Sequence, residues 1–286
     1  MPHQPPEWFD DQYNNRARIP GHPAILQHWS DASGRARSRH ADMVEVAYGS
    51  SPRERMDVYP TAAPDAPVLI YIHGGYWRAL DKRDHSFVAP PFVDAGALVL
   101  LPDYDLCPGV SIEHIVLQMV QALAWAQRHA KDHGGDPQRI VVAGHSAGGH
   151  LATMLLACDW PSVAPDLPPD LVKAALSISG VYDLEPLRHA PFLAPDLGLT
   201  AETAHRLSPA NMAAPRGPLV TVVGADESPE FLRQAEMIRE RWGSKAVMGA
   251  EFVPHRNHMD VLHELADPDS RTHAWGLSLL GLGDRP

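Results

Sequence analysis

The 286-residue chain is expected to fold as an α/β protein, a mostly parallel sheet of about eight strands covered by helices on both faces. Three observations lead there. Continuous apolar runs such as Val68 to Ile72 and Ala97 to Leu101 have the composition of strands buried on both sides. They alternate along the chain with stretches of helical spacing, of which Ile112 to His129 is the strongest. The segment Gly144-His145-Ser146-Ala147-Gly148 joins the β-branched run Ile140 to Val142 to the helix-compatible stretch Leu151 to Ala157, which makes a strand, a sharp turn and a helix with a serine at the apex.

The elements follow in order. Residues 1–40 are rich in Pro, Arg and Asn but carry Trp8, Phe9, Tyr13 and Trp29. A disordered tail lacks so many aromatics, so an N-terminal arm packed over the domain is expected. From Met43 the pattern alternates: Val44, Val46 and Tyr48 share a face, Gly49 to Pro52 turns, and Met56 to Tyr59 returns as a hairpin. Strand Val68–Ile72, a helix near Ser86 to Ala95, strand Ala97–Leu101 and helix Ile112–His129 come next. After the serine turn, Val172 to Ile178, Leu219 to Val223 and Val247 to Val253 supply further strands, with helices over Glu230 to Trp242 and Met259 to Leu265. Residues 182–215 break the rhythm with Pro186, Pro191, Pro195, Pro209 and Pro215, and this stretch reads as a short cap-like insertion in a single domain spanning 1–286.

Composition narrows the function. The formal charge, 24 minus 35, is −11, which disfavours a nucleic-acid partner. Two cysteines, Cys107 and Cys158, define no disulfide framework and point to a reducing, cytoplasmic setting. The start of the chain is polar where a secretory signal would be apolar, and no run is long enough to span a membrane. The 17 histidines form no zinc pattern, so neither metal nor other cofactor is expected. A small-molecule substrate remains, with the oligomeric state open and a homodimer among the options.

The chemistry assembles around Ser146. A serine hydroxyl needs an adjacent base, itself oriented by a carboxylate. The strand-turn-helix around Ser146 matches the nucleophile elbow of an α/β-hydrolase, where the order along the chain is serine, acid, histidine, each after a strand end. Behind Leu219 to Val223 comes Gly224-Ala225-Asp226-Glu227, and Asp226 is the preferred acid because it sits nearer the strand end, with Glu227 as its rival. Behind Phe252-Val253 comes Pro254-His255-Arg256-Asn257-His258; His258 is the preferred base, with His255 and His263 competing. His73-Gly74-Gly75-Tyr76-Trp77 follows strand Val68–Ile72, where this fold carries its oxyanion loop. Tyr76 and Trp77 are expected to place at least one ring beside the acyl substituent, and His145, next to the nucleophile, is counted with them as substrate-binding.

The His73-Gly-Gly-Tyr-Trp77 stretch resembles the HGGxW motif of arylformamidases (kynurenine formamidases), whereas hormone-sensitive-lipase-like carboxylesterases usually show HGGG. Gln12 to Arg18, Gly144 to Leu151, Gly224 to Phe231 and Asn257 to Asp260 also look like the bacterial arylformamidase-like group. The resemblance implies oxyanion donors at the amides of Gly75 and Tyr76, joined by Ala147, and an acid and base at Asp226 and His258. It also implies aryl formamides such as N-formyl-kynurenine as substrates, with broad-range esterase or aryl-amide hydrolase activity on short acyl groups as the alternative.

Overall fold

The computed structural model describes residues 4–286, so Met1 to His3 of the expected arm lie outside the described residues. Among the described residues eight strands form one sheet: β1 (Val44–Ala47), β2 (Arg55–Tyr59), β3 (Ala66–Ile72), β4 (Leu98–Pro102), β5 (Gly135–His145), β6 (Val172–Ile178), β7 (Leu219–Gly224) and β8 (Val247–Val253). Their spatial order is β1-β2-β4-β3-β5-β6-β7-β8. Only β1 with β2 and β2 with β4 pair antiparallel; every pairing from β4 to β8 is parallel.

The central strands are apolar throughout because both faces are covered. Val68, Ile70 and Ile72 of β3 pack into one core cluster with Leu98, Leu100, Ile140 and Val142. The intervening Leu69 and Tyr71 pack into a second, with Val99, Leu101, Val141 and Ala143. Successive side chains point to opposite faces, so one short run feeds two cores. On the first face lies the helix Ile112–His129, begun by Ser111, whose side chain accepts from the His114 N–H, and burying Ile112, Ile115, Met119 and Leu123.

The expected hairpin forms with Val44 opposite Val58, although Val44 itself is exposed on the edge strand. The helix expected over Ser86 to Ala95 is split into a 3₁₀ segment, Lys82–Val88, and a short α-helix, Ala89–Asp94. The N-terminal stretch forms helices Pro6–Tyr13, Asn15–Arg18 and His22–Arg39, with Tyr13 and Trp29 fully buried against the sheet layers. Between 182 and 215 the chain makes short helices, Glu185–His189, Ala194–Leu197, Ala201–Arg206 and Pro209–Asn211. Pro186, Pro195 and Pro209, which break the alternation in sequence, sit in the first turns of three of them, where a missing N–H costs nothing. Among the described residues, no helix is long and apolar enough to cross a membrane.

Candidate active site

The parallel strands end together on one edge, and three of their loops converge there. Ser146 leaves β5 with φ 57° and ψ −117°, a strained conformation for a side-chain-bearing residue. Its N–H donates to Ile178 O at 2.8 Å, and its carbonyl accepts from His150 N–H at 3.0 Å, so backbone bonds on both sides hold the strain. The following helix, Ala147–Leu156, runs so close to β3 that a Cβ on Gly148 would lie 2.0 Å from Ile72 O. That contact explains the glycine two places after the serine.

The His258 ring is held from all sides. His258 is 5% exposed, with Nε2 3.0 Å from Ser146 Oγ. Asn257 and Asp260 bracket it reciprocally. Asn257 Oδ1 accepts from the Met259 and Asp260 N–H groups, and the Asp260 carboxylate accepts from the Asn257 N–H and side-chain amide at 2.7 Å each. The Asn257-His258-Met259-Asp260 stretch is therefore a closed hydrogen-bonded turn with the histidine fixed inside it. The imidazole lies between the Phe231 ring, 4.3 Å away, and the His145 ring, 5.0 Å away. His145 Nε2 donates to His258 O at 2.7 Å. Burial, and then the neighbouring His258, hold the His145 pKa well below the usual histidine range, so His145 is a neutral donor. The rivals stand elsewhere: His255 is exposed with φ 59°, and His263 Nε2 accepts from the buried Trp29 indole at 3.0 Å.

The acid differs from the sequence expectation. Glu227, not Asp226, meets the imidazole: His258 Nδ1 donates to Glu227 Oε2 at 2.6 Å. Residues 224–227 form a β-turn, closed by Glu227 N–H to Gly224 O at 3.1 Å. The turn throws Asp226 out into solvent and returns Glu227 to the sheet edge, where it is 7% exposed. Its second oxygen accepts from the Gly224 N–H at 2.8 Å and from the Ser179 hydroxyl, so the buried carboxylate is satisfied throughout. Proximity to the strand end in sequence was the wrong guide, because a four-residue turn brings its last residue, not its third, back to the strand.

The glycine loop after β3 lies beside the elbow. Gly75 has φ 109°, and a Cβ there would meet Ala79 O at 2.1 Å, so only glycine fits this turn. Tyr76 and Trp77 follow at φ 51° and 57°. Among the described residues, no backbone or side-chain acceptor takes the Gly75 or Tyr76 N–H. The Ala147 N–H, at the first position of its helix, has no acceptor one turn earlier. The Tyr76 ring lines a cleft, with its hydroxyl donating to Tyr13 O at 2.6 Å.

Trp77 is a second correction. It is fully buried, packed edge-on against His150 with ring centroids 5.0 Å apart, and does not line the cleft as expected of a substrate-binding residue. Two consecutive left-handed residues turn its ring into the core while Tyr76 stays outside. The cleft, of about 120 Å³, is floored by Ser146, His145 and His258. Its walls include residues the sequence reading missed: Asn14, Asn15, Arg16, Leu26 and Trp29 from the N-terminal helices, Phe192 from the 182–215 segment, and Met259. The aromatic and amide-rich composition of the N-terminal stretch was the available signal, but which residues face the serine depends on docking 100 or more positions away in the chain. Among the described residues, no group of three or more His, Cys, Asp or Glu side chains is placed to hold a metal ion.

The family described as alpha/beta hydrolase fold matches residues 69–235. Curated kynurenine formamidases from Salmo salar and Danio rerio are 31% and 32% identical, covering 88% and 82% of this chain and 86% and 80% of their own lengths. A crystal structure described as a thioesterase, from Silicibacter sp. TM1040, is 31% identical with a TM-score of 0.81, covering 92% of this chain and 96% of its own. The chain belongs to the kynurenine formamidase-like branch of the α/β-hydrolase family.

Proposed function

We propose that the chain is a serine hydrolase that cleaves aryl formamides, N-formyl-kynurenine among them, to the arylamine and formate. The observation that carries this reading is the unbroken hydrogen-bonded line from Glu227 through His258 to Ser146, ending at the floor of a small cleft. His258 Nε2 takes the Ser146 proton as Oγ attacks the formyl carbon. Glu227 keeps the Nδ1 proton in place and stabilises the imidazolium as it forms. The Gly75, Tyr76 and Ala147 amides donate to the developing oxyanion. His258 then returns the proton to the leaving amine, and water enters by the reverse path to release formate. No step needs a cofactor.

The kynurenine formamidases among its relatives support formamides as the acyl class. A short acyl ester is the second reading, supported by curated relatives named as esterases, and the same relay would serve it. The N-terminal helices and the 182–215 segment cover the strand ends of what we take to be one domain, and the unpaired Cys107 and Cys158 support a cytoplasmic setting.

The deciding measurement is kcat/KM for formyl, acetyl and butyryl amides of one arylamine, beside N-formyl-kynurenine and p-nitrophenyl esters. With the Tyr76 ring in the wall, each added methylene crowds aromatic surface at roughly 1–3 kcal/mol. A steep fall from formyl to butyryl is expected. A profile peaking at butyryl, or activity on esters alone, would replace the formamidase reading with the esterase.

A further inference from the structure

We propose that the mouth of this cleft carries an anion subsite, and that Arg16 there recognises a negatively charged group on the leaving-group side of the substrate. The inference rests on the reading of the cleft as the substrate site. It begins from an imbalance of charge. The chain as a whole is at −11, yet among the described residues no Asp or Glu lines the cleft, while Arg16 and Arg78 do.

The two guanidiniums are not equivalent. Arg78 is already committed: it pairs with Asp196, donates to Phe192 O at 2.9 Å, and lies 5.4 Å from the centre of the Phe192 ring. Its charge is neutralised and its geometry fixed by the 182–215 segment. Arg16 is exposed and has no ion-pair or hydrogen-bond partner among the described residues.

The neighbouring Asn14 strengthens the case. Its side-chain oxygen accepts from the Ala17 N–H at 3.3 Å, which leaves its amide N–H₂ as a second donor lining the same cleft. Two donors and no carboxylate in one wall of the cleft match an anion such as a carboxylate. Leu26, Trp29, Phe192 and Met259 supply an apolar wall for an aromatic ring between those donors and Ser146. The chemistry selected is therefore an aryl acyl compound whose ring substituent ends in an anion. A strongly acidic protein repels such a molecule unless a local positive site offsets the general field.

The test uses two formanilides identical except for a carboxylate on the ring substituent, and reads the ratio of their kcat/KM values. Wild-type protein should favour the carboxylate at low salt, and raising salt to about 0.5 M should compress the preference by screening. Arg16→Gln should lower the ratio by about tenfold, through KM rather than kcat, and Arg16→Glu should invert it. Arg16→Lys should recover part of it. An unchanged ratio in Arg16→Gln, equal losses on both substrates, or a wild-type preference for the neutral compound would each overturn the proposal. Should neither formanilide be cleaved, the formamidase reading fails alone, and the same ratio measured on carboxylated and neutral phenyl acetates decides the subsite.

Discussion

The strand ends and the helices that cover them are built to different standards. Ser146, Glu227 and His258 are each at most 7% exposed, follow the ends of the parallel strands β5, β7 and β8, and are fixed by backbone hydrogen bonds. The cover is held by buried apolar side chains, Tyr13 and Leu193 in one core cluster and Trp29 in the other, and by a few side-chain hydrogen bonds. The Tyr13 hydroxyl donates to Glu230 at 2.8 Å, the Tyr76 hydroxyl donates to Tyr13 O, and the Phe192 N–H donates to Asp10 at 3.1 Å. Chemistry that tolerates little displacement is placed on the sheet. The walls of the cleft are left to the helices of the N-terminal and 182–215 segments, which dock from elsewhere in the chain.

Substitutions can break this contrast, and the nucleophile gives the largest effect. Ser146→Ala should lower kcat/KM on every substrate by on the order of 10³-fold or more, with the melting temperature unmoved or raised because a strained serine is replaced by a smaller residue. A sulfonyl fluoride should label Ser146 in the wild type and nothing in the variant. Retention of activity within about tenfold would remove the serine from the mechanism.

Next in size is the pair of adjacent acids. Glu227→Gln should cost on the order of 10²-fold in kcat, since the amide cannot hold the imidazolium, while Asp226→Asn should change it by less than about threefold. The opposite ranking would show that the exposed Asp226 rotates inward in solution.

Acid should weaken the layer beneath the cover. His85, His145 and His150 are buried neutral, the first and last lowered by desolvation to about 3 and about 4. Folded values below the unfolded value mean that the unfolded chain binds protons first. Stability is thus whole above about pH 6.5 and is lost as pH falls toward the folded values, by about 1.4 kcal/mol per group per unit. Urea midpoints at pH 7, 6 and 5 should fall progressively; a flat profile would mean that these histidines are protonated in the native state.

The smallest effect belongs to the cover. Tyr13→Phe removes one hydroxyl from between Glu230 and Gln234, which should cost about 1 kcal/mol of stability. Because Glu230 keeps Arg233 and the Tyr13 carbonyl still accepts from Tyr76, kcat/KM should fall by less than about tenfold, with sulfonyl fluoride labelling of Ser146 intact. A loss as large as that of Glu227→Gln would show the two layers to be one mechanical unit.

Much of this was legible in the residues themselves. The β-branched runs, the glycines around Ser146 and the histidine inside Asn257 to Asp260 state local requirements: burial on two faces, a turn that no larger residue fits, a closed hydrogen-bonded loop. Such requirements act over a few residues, so the succession of strands along the chain, and the placing of Ser146 and His258 at its turns, could be read from them. The choice of Glu227 over Asp226 could not, because it depends on how a four-residue turn meets Ser179 and His258 across the sheet edge. Nor could the inward rotation of Trp77, which needs two successive left-handed residues and the His150 ring to receive it. The sequence determined the sheet, the elbow and the kind of chemistry through short-range sterics and hydrophobic pattern. Which carboxylate meets His258, and which ring and which arginine line the cleft, was decided only when distant segments packed, since a side chain's direction is set by neighbours the local sequence does not contain.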